Sequence, residues 1–92
     1  MYRAYQHQTL MIVTSRPAKV CEAIYRLCHH GATVIEARGG YSGEKKGIVY
    51  SVVSADDTAR IYALCKTIDK DAFIGAMSTS RVMGRFYLRP RD

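Results

Sequence analysis

Regular patterning begins at residues 9–14, where Thr9, Leu10, Met11, Ile12, Val13 and Thr14 make a continuous apolar run bounded by hydroxyls. A run that short and that rich in branched side chains predicts a strand buried on both faces. Residues 1–8 show no period and read as a lead-in or linker. Ser15, Arg16 and Pro17 then mark a helix start, because serine can cap free N–H groups and proline is tolerated in the first turn. Val20, Ala23, Ile24, Leu27 and Cys28 recur at spacings of three and four through residues 17–30, which turns one apolar stripe toward a sheet. Gly31 stands where a left-handed residue would end that helix.

Residues 32–38 alternate, Thr33, Ile35 and Ala37 against Val34, Glu36 and Arg38, and so predict a second strand with one wetter face. It leads into Arg38-Gly39-Gly40-Tyr41-Ser42-Gly43-Glu44-Lys45-Lys46-Gly47, whose glycines allow a sharp turn and a close approach to a ligand. Residues 48–53, Ile-Val-Tyr-Ser-Val-Val, predict a third strand, antiparallel to the second across this loop. Ser54 with Asp57 three positions on gives a capping signal, and Asp56 and Asp57 suit the positive end of a helix dipole. The helix that follows places Ile61, Leu64, Cys65 and Ile68 on one stripe and stops near Asp69. After a polar turn at residues 69–71, residues 72–77 predict a fourth strand, and Ser78, Thr79 and Ser80 a break. Residues 81–88 read as an extra strand or an extended arm, and residues 89–92 as a basic tail around Pro90.

Strand, helix, strand, strand, helix, strand is the order of two split βαβ halves. Right-handed crossovers then put both helices on one face of a four-stranded antiparallel sheet, an α+β, ferredoxin-like βαββαβ sandwich over residues 9–88. The other face has no helix to cover it, and the third strand is apolar on both sides, so a partner subunit or ligand is expected there, with oligomerisation the natural cover.

Composition narrows the picture without redirecting it. Ninety-two residues make one small domain, and 48% hydrophobic with 24% charged residues is ordinary globular usage. The formal charge of +6 is compatible with an anionic partner, but a solubilising surface is the preferred reading, because the cations are not interleaved with stacking aromatics. Cys21, Cys28 and Cys65 lack a CxxC spacing and lie on or beside the apolar stripes, so buried thiols are expected rather than disulfides or a zinc site. No apolar run is long enough to cross a bilayer and no signal-peptide pattern is present, so a soluble chain is expected.

The candidate site is the loop, with Arg38, Gly39, Gly40, Tyr41, Ser42, Gly43, Lys45 and Lys46 offering positive charge and free N–H groups to a small anion. A hairpin turn with solvated lysines explains the same composition. Tyr41 either stacks on a ligand or packs on the sheet edge, with packing preferred. Asp69 either fixes its turn by accepting loop N–H groups or bonds a ligand hydroxyl, with the turn preferred. Phe73 is expected in the core. His29 and His30 suit the negative end of a helix, and Cys28 beside them lacks further ligands nearby in sequence, so no metal site is expected. Ser78, Thr79 and Ser80 lack a neighbouring base; nothing assembles a catalytic set or a cofactor motif, and an enzyme is not expected.

Taken together, Gly39-Gly40-Tyr41-Ser42-Gly43, the strand Ile48 to Ser54, Ile68-Asp69-Lys70-Asp71-Ala72-Phe73-Ile74 and the closing Val82-Met83-Gly84-Arg85-Phe86 resemble the DUF2179 domain. That domain forms the C-terminal cytoplasmic part of YitT-type bacterial membrane proteins. The resemblance implies a ferredoxin-like accessory module, regulatory or ligand-sensing, attached to a transmembrane region that would precede Met1. Three functions follow as expectations: binding of a small anionic metabolite or nucleotide at the loop, ligand-free assembly into a homo-oligomer, or RNA binding. The last is ranked lowest, because the third strand offers Tyr50 alone where an RNA-binding sheet needs several exposed aromatics.

Overall fold

A computed structural model describes residues 7–79 as six elements: β1 (His7–Thr14), α1 (Pro17–Cys28), β2 (Thr33–Arg38), β3 (Lys45–Ser54), α2 (Ala55–Ile68) and β4 (Phe73–Thr79). The strands form one antiparallel sheet in the order β2-β3-β1-β4. This is the arrangement expected of two split βαβ units, with β1 and β3 central and β2 and β4 at the edges. The expected extra segment at 81–88, the tail at 89–92 and most of the lead-in lie outside the described residues.

Alternation along the central strands sets the core. Leu10, Ile12 and Thr14 of β1 and Val49, Ser51 and Val53 of β3 are buried on the helix side, against Val20, Ile24 and Cys28 of α1 and Ile61 and Cys65 of α2. Each large aliphatic side chain removed from water there contributes roughly 1.5–3 kcal/mol. The opposite face carries a row running across all four strands, Ile35, Ile48, Val13 and Phe73, joined by direct register pairs. A second row, Thr33, Tyr50, Met11 and Gly75, lies beside it.

No described helix covers that second face, so β1 is not sealed on both sides as its apolar run suggested: Met11 and Val13 are half-buried. Phe73 is also not a core residue. It is 71% exposed, because Ile74 takes the inward position at the start of β4 and alternation turns its neighbour outward.

Element ends differ from the expected ones for identifiable reasons. β1 starts at His7 because the Thr58 hydroxyl donates to Gln8 Oε1 at 2.7 Å and His7 pairs with Ser54 and Thr79. β4 continues through Ser78 to Thr79, where the hydroxyls of Thr79 and Thr9 meet at 2.6 Å. Ser15 does not cap α1; Arg16 holds the cap position without a side-chain bond, since the Ser15 N–H is drawn to Asp69 at 3.2 Å. α1 ends not at Gly31 but at Cys28, with His29 in the left-handed region at φ 62° and its ring edge-on to Tyr25 at 5.5 Å. Ser54 does cap α2, accepting from the Asp56 N–H at 3.3 Å, whereas Asp57 turns into the interior.

Candidate ligand-binding end of the sheet

Antiparallel register brings three connections to one end of the molecule: the β2–β3 hairpin, the β1–α1 junction and the α2–β4 turn. Thr14 pairs with Gly47, Arg38 with Lys45, and Val13 with Phe73. The hairpin loop is held in one shape by its own bonds. The Gly39 N–H donates to Glu44 O and the Gly43 N–H to Gly39 O, each at 2.8 Å. The Glu44 N–H donates to Ser42 Oγ at 3.1 Å, and the Arg38 guanidinium to Gly43 O at 3.2 Å. Gly43 has φ +72°, a conformation that other residues adopt at a cost.

Among the described residues the backbone N–H groups of Gly40, Tyr41 and Ser42 donate no hydrogen bond, which leaves three consecutive donors at the tip. Tyr41 is fully exposed, contrary to the packing expected of it. The loop closes on itself through backbone and polar side-chain bonds rather than through packing on the Tyr41 ring.

The N-terminus of α1 sits over the start of β3. Gly47 is buried there, and a Cβ at that position would lie 2.7 Å from Pro17 Cγ. Lys45 shares the alternation of Gly47, and Arg38 is its register partner, so both project on the side of α1. Lys46 projects on the other side, 3.5 Å from Glu44 Oε1. Lys45 has no ion pair among the described residues. The first turn of α1 has no acidic residue of its own and no side-chain cap, and the carboxylate nearest its start is Asp69, which accepts from the Ser15 N–H just before the cap position. Arg16 stands at that same end. The sequence reading missed this contribution because it assigned the cap to Ser15.

Asp69 belongs to this end but is already engaged. Its Oδ2 accepts from the Thr14 hydroxyl at 2.7 Å and the Ser15 N–H at 3.2 Å, and its Oδ1 from the Asp71 N–H at 3.1 Å. The Thr14 hydrogen bond holds its carboxyl below the usual range; burial opposes it as the next largest effect, and the Ser15 and Asp71 N–H groups and the Lys46 charge add to the lowering. Asp69 therefore clamps the β1–α1 junction to the α2–β4 turn. Lys66 reinforces the turn by donating to Lys70 O at 2.7 Å and Ala72 O at 3.0 Å.

A different group of side chains gathers at the far end of the sheet. Donor atoms of Cys28, His30 and Asp57, all buried, lie within 4.8 Å of one another. Reading the chain locally could not find this, because Asp57 arrives from the first turn of α2. Its only sequence signal is a capping position whose carboxylate goes inward, where Arg60 meets Oδ1. Burial pushes the Cys65 thiol up to about 11 and raises Cys21 as well, which disfavours the thiolate form of both.

Comparison with known proteins places this architecture among relatives. Residues 30–84 match the model of DUF2179, described as an uncharacterised protein conserved in bacteria. Two Bacillus subtilis proteins, the UPF0750 membrane proteins YvjA and YitT, are each 30% identical, over 86% and 85% of this chain and 28% of their own length. The chain thus spans less than a third of these relatives. An uncharacterised protein in the cccA 5' region of Bacillus sp. strain PS3 is 29% identical over 86% of this chain and 53% of its own. Among solved structures, a DUF2179 protein from Eubacterium ventriosum superposes with a TM-score of 0.64 at 21% identity, covering 78% of this chain and 99% of that one. A functionally unknown protein from Pediococcus pentosaceus gives 0.67 at 11% identity over 87% and 96%. At these identities the two structures bear on the fold alone.

Proposed function

The chain belongs to the DUF2179 family, and from that premise we propose that it is a regulatory module of a YitT-type membrane protein, binding a small anionic metabolite or nucleotide at the hairpin end. No helix among the described residues is long and apolar enough to cross a membrane, and the two Bacillus subtilis relatives, matched over 28% of their length, are named membrane proteins. In this reading the module lies on the cytoplasmic side, next to a transmembrane region of the same full-length chain.

The observation that carries the proposal is the gathering of hydrogen-bond donors and cations at one end, beside an Asp69 that is already engaged. The uncapped start of α1, the three tip N–H groups, Arg16 and Lys45 all face solvent-accessible space there, with Arg38 bracing the loop between them. Tyr41, the middle residue of the three tip donors, is fully exposed and offers a stacking surface for a flat ligand. Bound anion would favour one packing of the module against its membrane neighbour, and only by as much as its affinity differs between the two packings.

Thermal denaturation against a panel of nucleotides and anionic metabolites tests this. At least one compound is expected to raise the midpoint, and the rise is expected to disappear in Lys45→Ala and Tyr41→Ala, neither of which touches the core. A panel without effect on the wild-type chain counts against the proposal.

A second reading, a homo-oligomer that needs no ligand, draws on the apolar row Ile35, Ile48, Val13 and Phe73 across the uncovered face. RNA binding has less support: that face presents aliphatic side chains more than aromatics, and Lys46 is paired with Glu44 at its margin.

A further inference from the structure

We propose that Cys28, His30 and Asp57 form a site for one divalent cation of the zinc class, at the end of the sheet opposite the hairpin. They come from two pieces of chain, Cys28 and His30 from the end of α1 and the α1–β2 connection that follows it, and Asp57 from the first turn of α2. They supply a thiol sulfur, an imidazole nitrogen and a carboxylate oxygen, a donor set that suits zinc better than magnesium or calcium, which prefer oxygen alone. Relative exposures of 0%, 8% and 1% remove all three from bulk water. A divalent cation is a single partner to which each can offer a lone pair in a place where hydration is lost.

The local backbone is shaped around this meeting. His29 is the one residue other than glycine with positive φ among those described, and its left-handed turn folds His30 back beside the end of α1. Cys28 and His30, two apart, would diverge on a continuing helix. Arg60 holds Asp57 through Oδ1, while the second oxygen, Oδ2, is also buried. An outer partner of that kind orients a ligating carboxylate.

Each of the three residues is already engaged within the fold, Cys28 by donating its thiol to Ile24 O at 3.3 Å, so the ion replaces or extends existing contacts. On binding, the Cys28 thiol releases its proton to solvent and the thiolate bonds the metal, which makes affinity rise with pH. Metal–ligand bonds of roughly 2.0–2.3 Å require the donors to draw closer than 4.8 Å, a shift within reach of side-chain rotation. Water or a backbone carbonyl completes the tetrahedron.

Optical titration with cobalt(II), after treatment of the chain with a chelator, tests the site without needing any variant to fold. The wild-type chain is expected to bind one Co2+ with a thiolate-to-metal charge-transfer band and intense tetrahedral d–d bands, both displaced by Zn2+. The charge-transfer band is expected to vanish in Cys28→Ser and persist in Cys21→Ser. Affinity is expected to fall at least about tenfold in His30→Gln and, through loss of the outer partner, about tenfold in Arg60→Gln. A wild-type chain that shows no charge-transfer band in excess Co2+, or a band that survives Cys28→Ser, overturns the proposal. Neither result bears on binding at the hairpin end.

Discussion

Gly47 shows how a single missing side chain positions the candidate site. Its hydrogen lets Pro17 sit directly on β3, which brings the start of α1 down beside Lys45; a methyl group would need the 2.7 Å and 2.8 Å approaches to two ring carbons relieved by moving α1. Gly47→Ala is expected to cost about 1–3 kcal/mol in urea denaturation, as overpacking does. Gly75→Ala, whose nearest contact would be Met11 O at 4.0 Å, is expected to be close to neutral.

Asp69 acts at the same scale through charge. Its carboxyl is held below the ordinary value of 3.8, so folding gains from the ionised form above that pH, and the gain is lost as pH falls through the lowered folded value. Asp69→Asn is expected to lower stability by on the order of 1 kcal/mol at neutral pH, since hydrogen bonds to a partly exposed charge are screened. The difference between wild type and variant is expected to close in denaturation curves taken well below pH 3.8. A gap that stays constant with pH would mean that the clamp is steric rather than electrostatic.

Among the elements, the strands and helices were legible because their periods were clean: Val20, Ile24 and Cys28 on one stripe, Ile61 and Cys65 on the other, and the βαββαβ order that follows. What the sequence hid were the ends and the outward faces. Ser15 and Gly31 are ordinary capping residues, yet Asp69 takes the first from its helix and the inward turn of His30 moves the left-handed position to His29. Phe73 and Tyr41 read as core or sheet packing because large aromatics usually are buried; the uncovered face followed from the element order, but the apolar run Ala72 to Met77 did not record that Ile74 takes the inward position and Phe73 the outward one. The glycine-rich hairpin was visible as a loop, whereas its closure by Arg38 and Gly43 depends on geometry that no spacing carries. Because that closure is local, Gly43→Ala is expected to strain the loop by about 1 kcal/mol while leaving the core intact. Loss of ligand response without a change in the near-ultraviolet spectrum would be its signature.

For the whole molecule, the two faces of the sheet make opposite demands. The helix side is complete, with Leu10, Ile12, Val49 and Val53 sealed from water, while the other side leaves Ile35 at 46%, Met77 at 56% and Phe73 at 71% exposure. Apolar surface of that kind, continuous across four strands, is a place for protein association. Ile35→Lys together with Phe73→Ser is expected to leave the monomer folded and to convert any self-associated species to monomer in sedimentation velocity. Unaltered sedimentation of an oligomer would assign association to another surface.

The hairpin donors and the apolar row differ in position: the donors lie in the loop beyond the strands, and the row lies on the helix-free side of the sheet. The regulatory reading requires that an anion be met at the former. The most direct measurement is a 15N–1H correlation titration of the chain with the nucleotide or metabolite that gives the largest thermal response. Shifts are expected to concentrate at the amides of Gly40, Tyr41, Ser42, Ala18, Lys19 and Lys45, with the Cys28–His30–Asp57 end unmoved. Shifts confined to the open face or the far end, or none at saturating ligand, would contradict it.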